Sequence, residues 1–256
     1  MTAKRADERS RLSSSPVGDT IMVDLGERTI FVRLRPDRRA RRLTLRVPVS
    51  AQQPVLTVPA RVGRAAVEAF LGSHREWLAD KLLGRPDPVP FAAGAVIPLR
   101  GLDHEIVHDA AMRGAVVRRE ADEAGRRLVV GGLGAHLPRR LADWLAGEAR
   151  TDLKRAVARH AGALGTRPKA VRVRDTVSRW GSCSSAGVLS FSWRLVLAPP
   201  EILDYLAAHE VSHLVHMDHS PAFWALVGRL YPEHRTARDW LKREGGRLHA
   251  IGSASA

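Results

Sequence analysis

The apolar positions of this chain change period several times along its length, and each change marks an element. Thr29–Leu34, Arg41–Val47 and Val55–Val58 are short runs rich in β-branched residues or Leu, as strands are. Pro36 and Asp37 punctuate the first two. From 62 to 83 the period lengthens. Val67, Phe70, Leu71, Trp77, Leu78 and Leu82 form one apolar stripe, which predicts a helix that Gly84-Arg85-Pro86 stops. Short strand-like segments return between Ala95 and Val130, separated at Gly101, Gly114 and Gly125. Gly131, Gly132 and Gly134 then make a loop that reads as a boundary. A long helix is predicted over Pro138–Leu164, with Leu141, Trp144, Leu145, Leu153 and Val157 on one face. Ala170–Arg174 and Val188–Val196 read as strands on either side of a polar stretch, RDTVSRWGSCSSAG. Pro199 and Pro200 then open another helix. The order is β-rich first and mainly helical second, an α+β pattern with tails at 1–18 and 249–256 expected to be disordered.

Composition narrows the class. With 256 residues, 45% hydrophobic positions and 6 Trp, the chain has material for a real core. No run of eighteen or more apolar residues is present, and the charged start lacks the apolar stretch of a secretory signal. The single cysteine, Cys183, excludes an internal disulfide framework. The expectation is a soluble, cytoplasmic protein with no membrane partner. A net charge of +14, carried mostly by Arg, raises the local concentration of anions. Its densest cluster is Arg33, Arg35, Arg38, Arg39, Arg41, Arg42 and Arg46. Two readings stand for it: a solvated hairpin, or a surface for nucleic acid or nucleotide phosphates.

The chemistry concentrates at 209–219. His209 and His213 lie four apart, so a helix stacks their imidazoles on one face within reach of a single Zn²⁺. Glu210, beside the first ligand, is placed to act as general base toward water, as in H-E-x-x-H zinc peptidases. A third ligand is needed. On a continued helix, His216 would stand about 10 Å from His209 along the axis, too far to share an ion. Ser220-Pro221 reads as a fresh N-cap, so the chain turns before it and brings His219 back over the metal. His216 is then a supporting or surface residue, and Glu233 is the alternative third ligand. Cys183 as a Cys–His nucleophile has no support from its neighbours in sequence.

Taken together, Trp180-Gly181-Ser182-Cys183-Ser184, Ser192-Trp193-Arg194-Leu195, His209-Glu210, His213, His219 and Phe223-Trp224 resemble the YgjP-like metallopeptidase-type family, grouped near the SprT-like zinc peptidases. The Arg-rich strands of 33–47, Thr57-Val58-Pro59 and the Trp77 helix are similar to that family's N-terminal region, so the resemblance spans about residues 25–245. The family pattern usually has Asn where this chain has Ser192. The resemblance implies a zincin-like domain over 134–248 following a β-rich region over 19–133, with the H-E-x-x-H helix beside a small sheet. It implies one zinc ion on His209, His213 and His219, Glu210 as base, and a cleft lined by Trp180, Gly181 and Ser182. Val188–Val196 then reads as the sheet edge beside the metal, where an extended peptide adds by backbone hydrogen bonds. Arg194 is either a stabiliser of the oxyanion or one half of a structural ion pair. Trp180 is a cleft wall or a core aromatic.

The expected function is a metal-dependent hydrolase acting on peptides or proteins. One alternative is a nucleoside triphosphate pyrophosphohydrolase on the same site, an activity described for a bacterial relative, although no P-loop is present. Another is a nucleic-acid-associated adaptor with a structural metal, against which Glu210 argues.

Overall fold

A computed structural model describes residues 20–26, 29–47, 53–83, 86–112, 116–122, 125–176 and 179–252. The tail expected over 1–18 lies outside them. The described residues form two units, one of residues 20–47 and 53–83, the other of residues 86–252.

In the first unit, β1 (Thr20–Asp24), β2 (Thr29–Asp37), β3 (Thr44–Arg46) and β4 (Val55–Pro59) form a sheet in the order β1-β2-β4-β3. Only the β2–β4 pair is parallel. One sheet face supplies Ile21, Val23, Val32 and Leu56 to a core shared with Val67, Leu71 and Leu78. These last come from α1 (Arg64–Ser73) and α2 (Arg75–Leu83), so the predicted 62–83 helix is two. The break falls at His74, whose ring Nδ1 donates to the Phe70 carbonyl (2.8 Å) and whose ring stacks on the Phe70 ring at 4.1 Å.

The second unit opens with β5 (Val96–Leu99), β6 (Leu102–Asp109), β7 (Val116–Asp122) and β8 (Gly125–Gly131), in the order β5-β6-β8-β7. Then come α3 (Leu137–Ala163), β9 (Ala170–Arg174), β10 (Gly181–Cys183), β11 (Val188–Ser192), α4 (Pro200–Ser212), α5 (Pro221–Leu230) and α6 (His234–Ala250). Its apolar core runs from Ile97, Ile106 and Leu128 on the first sheet into Leu141, Leu145 and Leu153 of α3, then to Phe191, Leu206 and Val211. The glycine loop at 131–134 is therefore crossed by one continuous core. The tail expected over 249–256 is corrected at its start, because His249, Ala250 and Ile251 are buried and Val89 bridges to Ile251; residues 253–256 lie outside the described residues.

The two-residue turn Arg100-Gly101 between β5 and β6 has both φ positive, at 52° and 75°. That is the backbone of a tight hairpin turn matched to strand twist, and it is unusual for Arg. The strain is held by ion pairs from Arg100 to Glu148 and Asp152 on α3, each at 2.8 Å. The turn's amides donate to the carbonyls of Val196 and Leu197, which pins the segment leading into α4.

Candidate metal centre

Helix α4 is wrapped in core residues along most of its length, including Ile202, Leu203, Leu206, Ala207 and Val211, and this fixes its rotation. His209 and Glu210 sit in its last turn, and His213 caps its C-terminal end in helical geometry. The chain then turns away. Asp218 Oδ1 accepts from the Ser220 amide, and Ser220 Oγ caps α5 by accepting from Phe223 N (3.4 Å). The predicted N-cap and Pro at the first helical position are both present.

This return brings the third imidazole over the first two. One nitrogen from each of His209, His213 and His219 lies within 4.8 Å of the others, and the Nε2 atoms of His209 and His219 are 3.3 Å apart. Nitrogens bound to one zinc at about 2.05 Å in tetrahedral directions stand roughly 3.3 Å apart, the spacing of the His209–His219 pair, and His213 lies close enough to complete the set with a small shift. Phe223 wedges beneath the cluster, stacked on His213 at 4.4 Å and edge-on to His209 and His219 at 5.0 and 4.9 Å. His213 Nδ1 donates to the His216 carbonyl (2.9 Å), which leaves Nε2 as the lone-pair side. His216 thus contributes through its backbone.

Burial, then the neighbouring His213 and His219, push His209 down to about 3, and burial lowers His213 as well. His209 and His213 are therefore neutral bases at physiological pH, the form a metal requires. Glu210 is pushed up to about 8 by burial, partly opposed by Arg179. Its Oε2 is buried without a hydrogen-bond partner, an open acceptor one residue along α4 from His209.

The WGSC segment approaches from the other side. β10 is the edge of the sheet β10-β11-β9, and β11 is its centre, bonded on both sides. The expected edge at Val188–Val196 is thus displaced to β10, because β9 returns parallel beside β11. Gly181 packs directly on Glu210: a Cβ there would stand 2.8 Å from both Cγ and Cδ of the carboxylate side chain. Gly181→Ala is therefore expected to turn the carboxylate aside and lower kcat by about a hundredfold, the scale of a misplaced catalytic group, with metal content unchanged. Activity near wild type would show that Glu210 tolerates another rotamer.

Other expected residues lie elsewhere. Arg194 is 4% exposed, paired with Asp175, donates to the Ile251 carbonyl and lies over the Trp193 ring. Of its two roles, these contacts favour the ion pair. Trp180 is half-buried and stacks on His249 at 4.3 Å, with Gly245 against its ring. Glu233 is exposed at the start of α6, outside the imidazole cluster. Burial and then Glu210 push the Cys183 thiol up, which disfavours the nucleophilic thiolate. Sequence reasoning missed Arg179, whose charge acts on Glu210, and named Phe223 only as part of the family resemblance, without its place against the three imidazoles.

His249 is pushed down to about 4, chiefly by burial and then by Arg194, so it is neutral in the fold. Its unfolded value is about 6.5, so the unfolded chain takes up the proton first as pH falls. Wild type is expected to lose stability relative to His249→Phe between about pH 6.5 and 4, by roughly 3 kcal/mol. Urea unfolding at both ends of that window checks it, and parallel curves would overturn it.

A family model described as YgjP-like, metallopeptidase domain, matches residues 41–244. Among solved structures, the chain is similar to the metallopeptidase zymogen of Pyrococcus abyssi abylysin, with 23% identity over 38% of this chain and 94% of that one, and a TM-score of 0.33. No curated protein matches significantly.

Proposed function

We propose, since this chain belongs to the YgjP-like metallopeptidase family, that it is a zinc-dependent peptidase whose ion is held by His209, His213 and His219. The observation that carries the reading is three imidazole nitrogens within 4.8 Å of one another, with Glu210, the residue after His209 on α4, carrying a buried, unpartnered carboxylate oxygen. When bound, zinc supplies Lewis acidity, making water acidic enough to attack at neutral pH and drawing the adjacent carboxyl toward its charged form.

The chain's own residues do the rest. Glu210 takes the proton from the attacking water at Oε2 and returns it to the leaving amine. Gly181, by lacking a side chain, lets the carboxylate lie close to β10. The unpaired edge of Gly181–Cys183 receives an extended substrate through backbone hydrogen bonds, which sets the scissile carbonyl beside the imidazoles. Arg179, near enough to bias Glu210 toward its charged form, flanks that path. Phe223 keeps the three rings from reorienting.

The test offers purified protein an unfolded polypeptide and, separately, a panel of nucleoside triphosphates, each with and without a chelator. Peptide cleavage that the chelator abolishes and zinc restores is expected. Chelator-sensitive release of pyrophosphate without peptide cleavage would transfer the site to phosphoanhydride chemistry and end this reading.

A further inference from the structure

We propose that the open face of the first unit's sheet binds single-stranded nucleic acid. Strand alternation and register gather one set of side chains on the face opposite α1 and α2. Met22 stands across from Phe31. Arg33 stands between Thr20 and Val55, and Val55 is paired in turn with Arg46. Arg35 lies opposite Thr57 and donates to its hydroxyl at 3.4 Å. The segment leaving β2 carries Arg38, Arg39, Arg41 and Arg42, and all seven arginines are exposed.

Two features separate this face from an ordinary solvated one. First, its charge is uncompensated among the described residues. The ion pairs described in this unit are Arg64–Glu68 and Arg75–Asp24, and they use none of the seven. Asp37, at the end of β2, accepts the Arg39 amide and serves the turn. The like charges gathered on this face repel, so the face stores a cost that an anionic ligand relieves. Second, Phe31 is 53% and Met22 65% exposed in line with those arginines. Guanidinium groups take phosphates, and an exposed ring on a flat sheet takes an unstacked base. A duplex keeps its bases stacked and leaves Phe31 unused. An anionic membrane would use the charge and the apolar pair without any preference for an aromatic ring.

The experiment titrates the full chain into a labelled oligouridine of roughly 16 nucleotides and follows anisotropy at several salt concentrations. Phe31→Ala is expected to weaken binding at least about fivefold, and Phe31→Trp to restore it. Arg33→Ala with Arg35→Ala should make the slope of log affinity against log salt shallower by roughly 1.4, about 0.7 for each phosphate no longer neutralised. Arg150→Ala with Arg243→Ala, exposed cations of the second unit, should change neither quantity. Indifference to Phe31, an equal loss from the second-unit pair, or tighter binding to a duplex or to phosphatidylglycerol vesicles would each overturn the proposal. The outcome is independent of hydrolysis at the imidazole cluster.

Discussion

Glu210→Gln is expected to lower peptide turnover by about 10²–10⁴-fold while the protein keeps its metal and its fold. Gln matches Glu in shape, so packing against Gly181 survives the exchange. The amide has no basic oxygen with which to take a proton from water. Nor does folding suffer. Burial already pushes this carboxyl up to about 8, so the fold does not rely on its charge, and a neutral group in its place costs nothing in desolvation. The expected pattern is unchanged metal content by elemental analysis, a melting temperature equal to or above wild type, and a collapsed kcat. Turnover within tenfold of wild type in a metal-loaded variant would remove Glu210 from the mechanism.

His213→Ala is expected to abolish both turnover and retained metal. Two imidazoles remain, and neither His216 nor Glu233 is placed to substitute: His216 offers its carbonyl, and Glu233 lies outside the cluster. Loss of a direct ligand should exceed the roughly 10–100-fold in affinity that supporting partners are worth. Binding to the folded state alone adds about 2.7 kcal/mol when the ion is at a hundred times its dissociation constant. Zinc should therefore raise the melting temperature of wild type and leave that of His213→Ala unmoved. His216→Ala is the control that should behave like wild type, because its side chain is not used. Equimolar zinc retained by His213→Ala after dialysis would refute the three-histidine assignment.

What could be read from the chain was what its neighbours within a turn or two decide. The stripe over Pro138–Leu164, observed as α3, the strand at Ala170–Arg174, the Ser220-Pro221 cap and the spacing of His209 and His213 all express interactions over a few residues, so period and capping reveal them. The α+β class and the family resemblance rest on such segments, and both stand. β1 was missed because its five residues, Thr20–Asp24, are too few to declare a period beside a polar start. The 62–83 stripe hid a break, since His74 satisfies the Phe70 carbonyl without disturbing the apolar spacing on either side.

Tertiary structure alone decided matters that depend on residues far apart in sequence. Whether β10 or β11 is an edge depends on where β9 returns. Arg194 looked equally suited to an oxyanion or an ion pair until Asp175 and Ile251, nineteen and fifty-seven residues away, were found around it. The close approach of Gly181 to Glu210 and the wedge of Phe223 among three imidazoles follow from how α4, α5 and the β10 edge pack. A sequence lists which groups a fold has to use. Their distances come from long-range packing, because burial area and steric exclusion are properties of surfaces assembled from the whole chain.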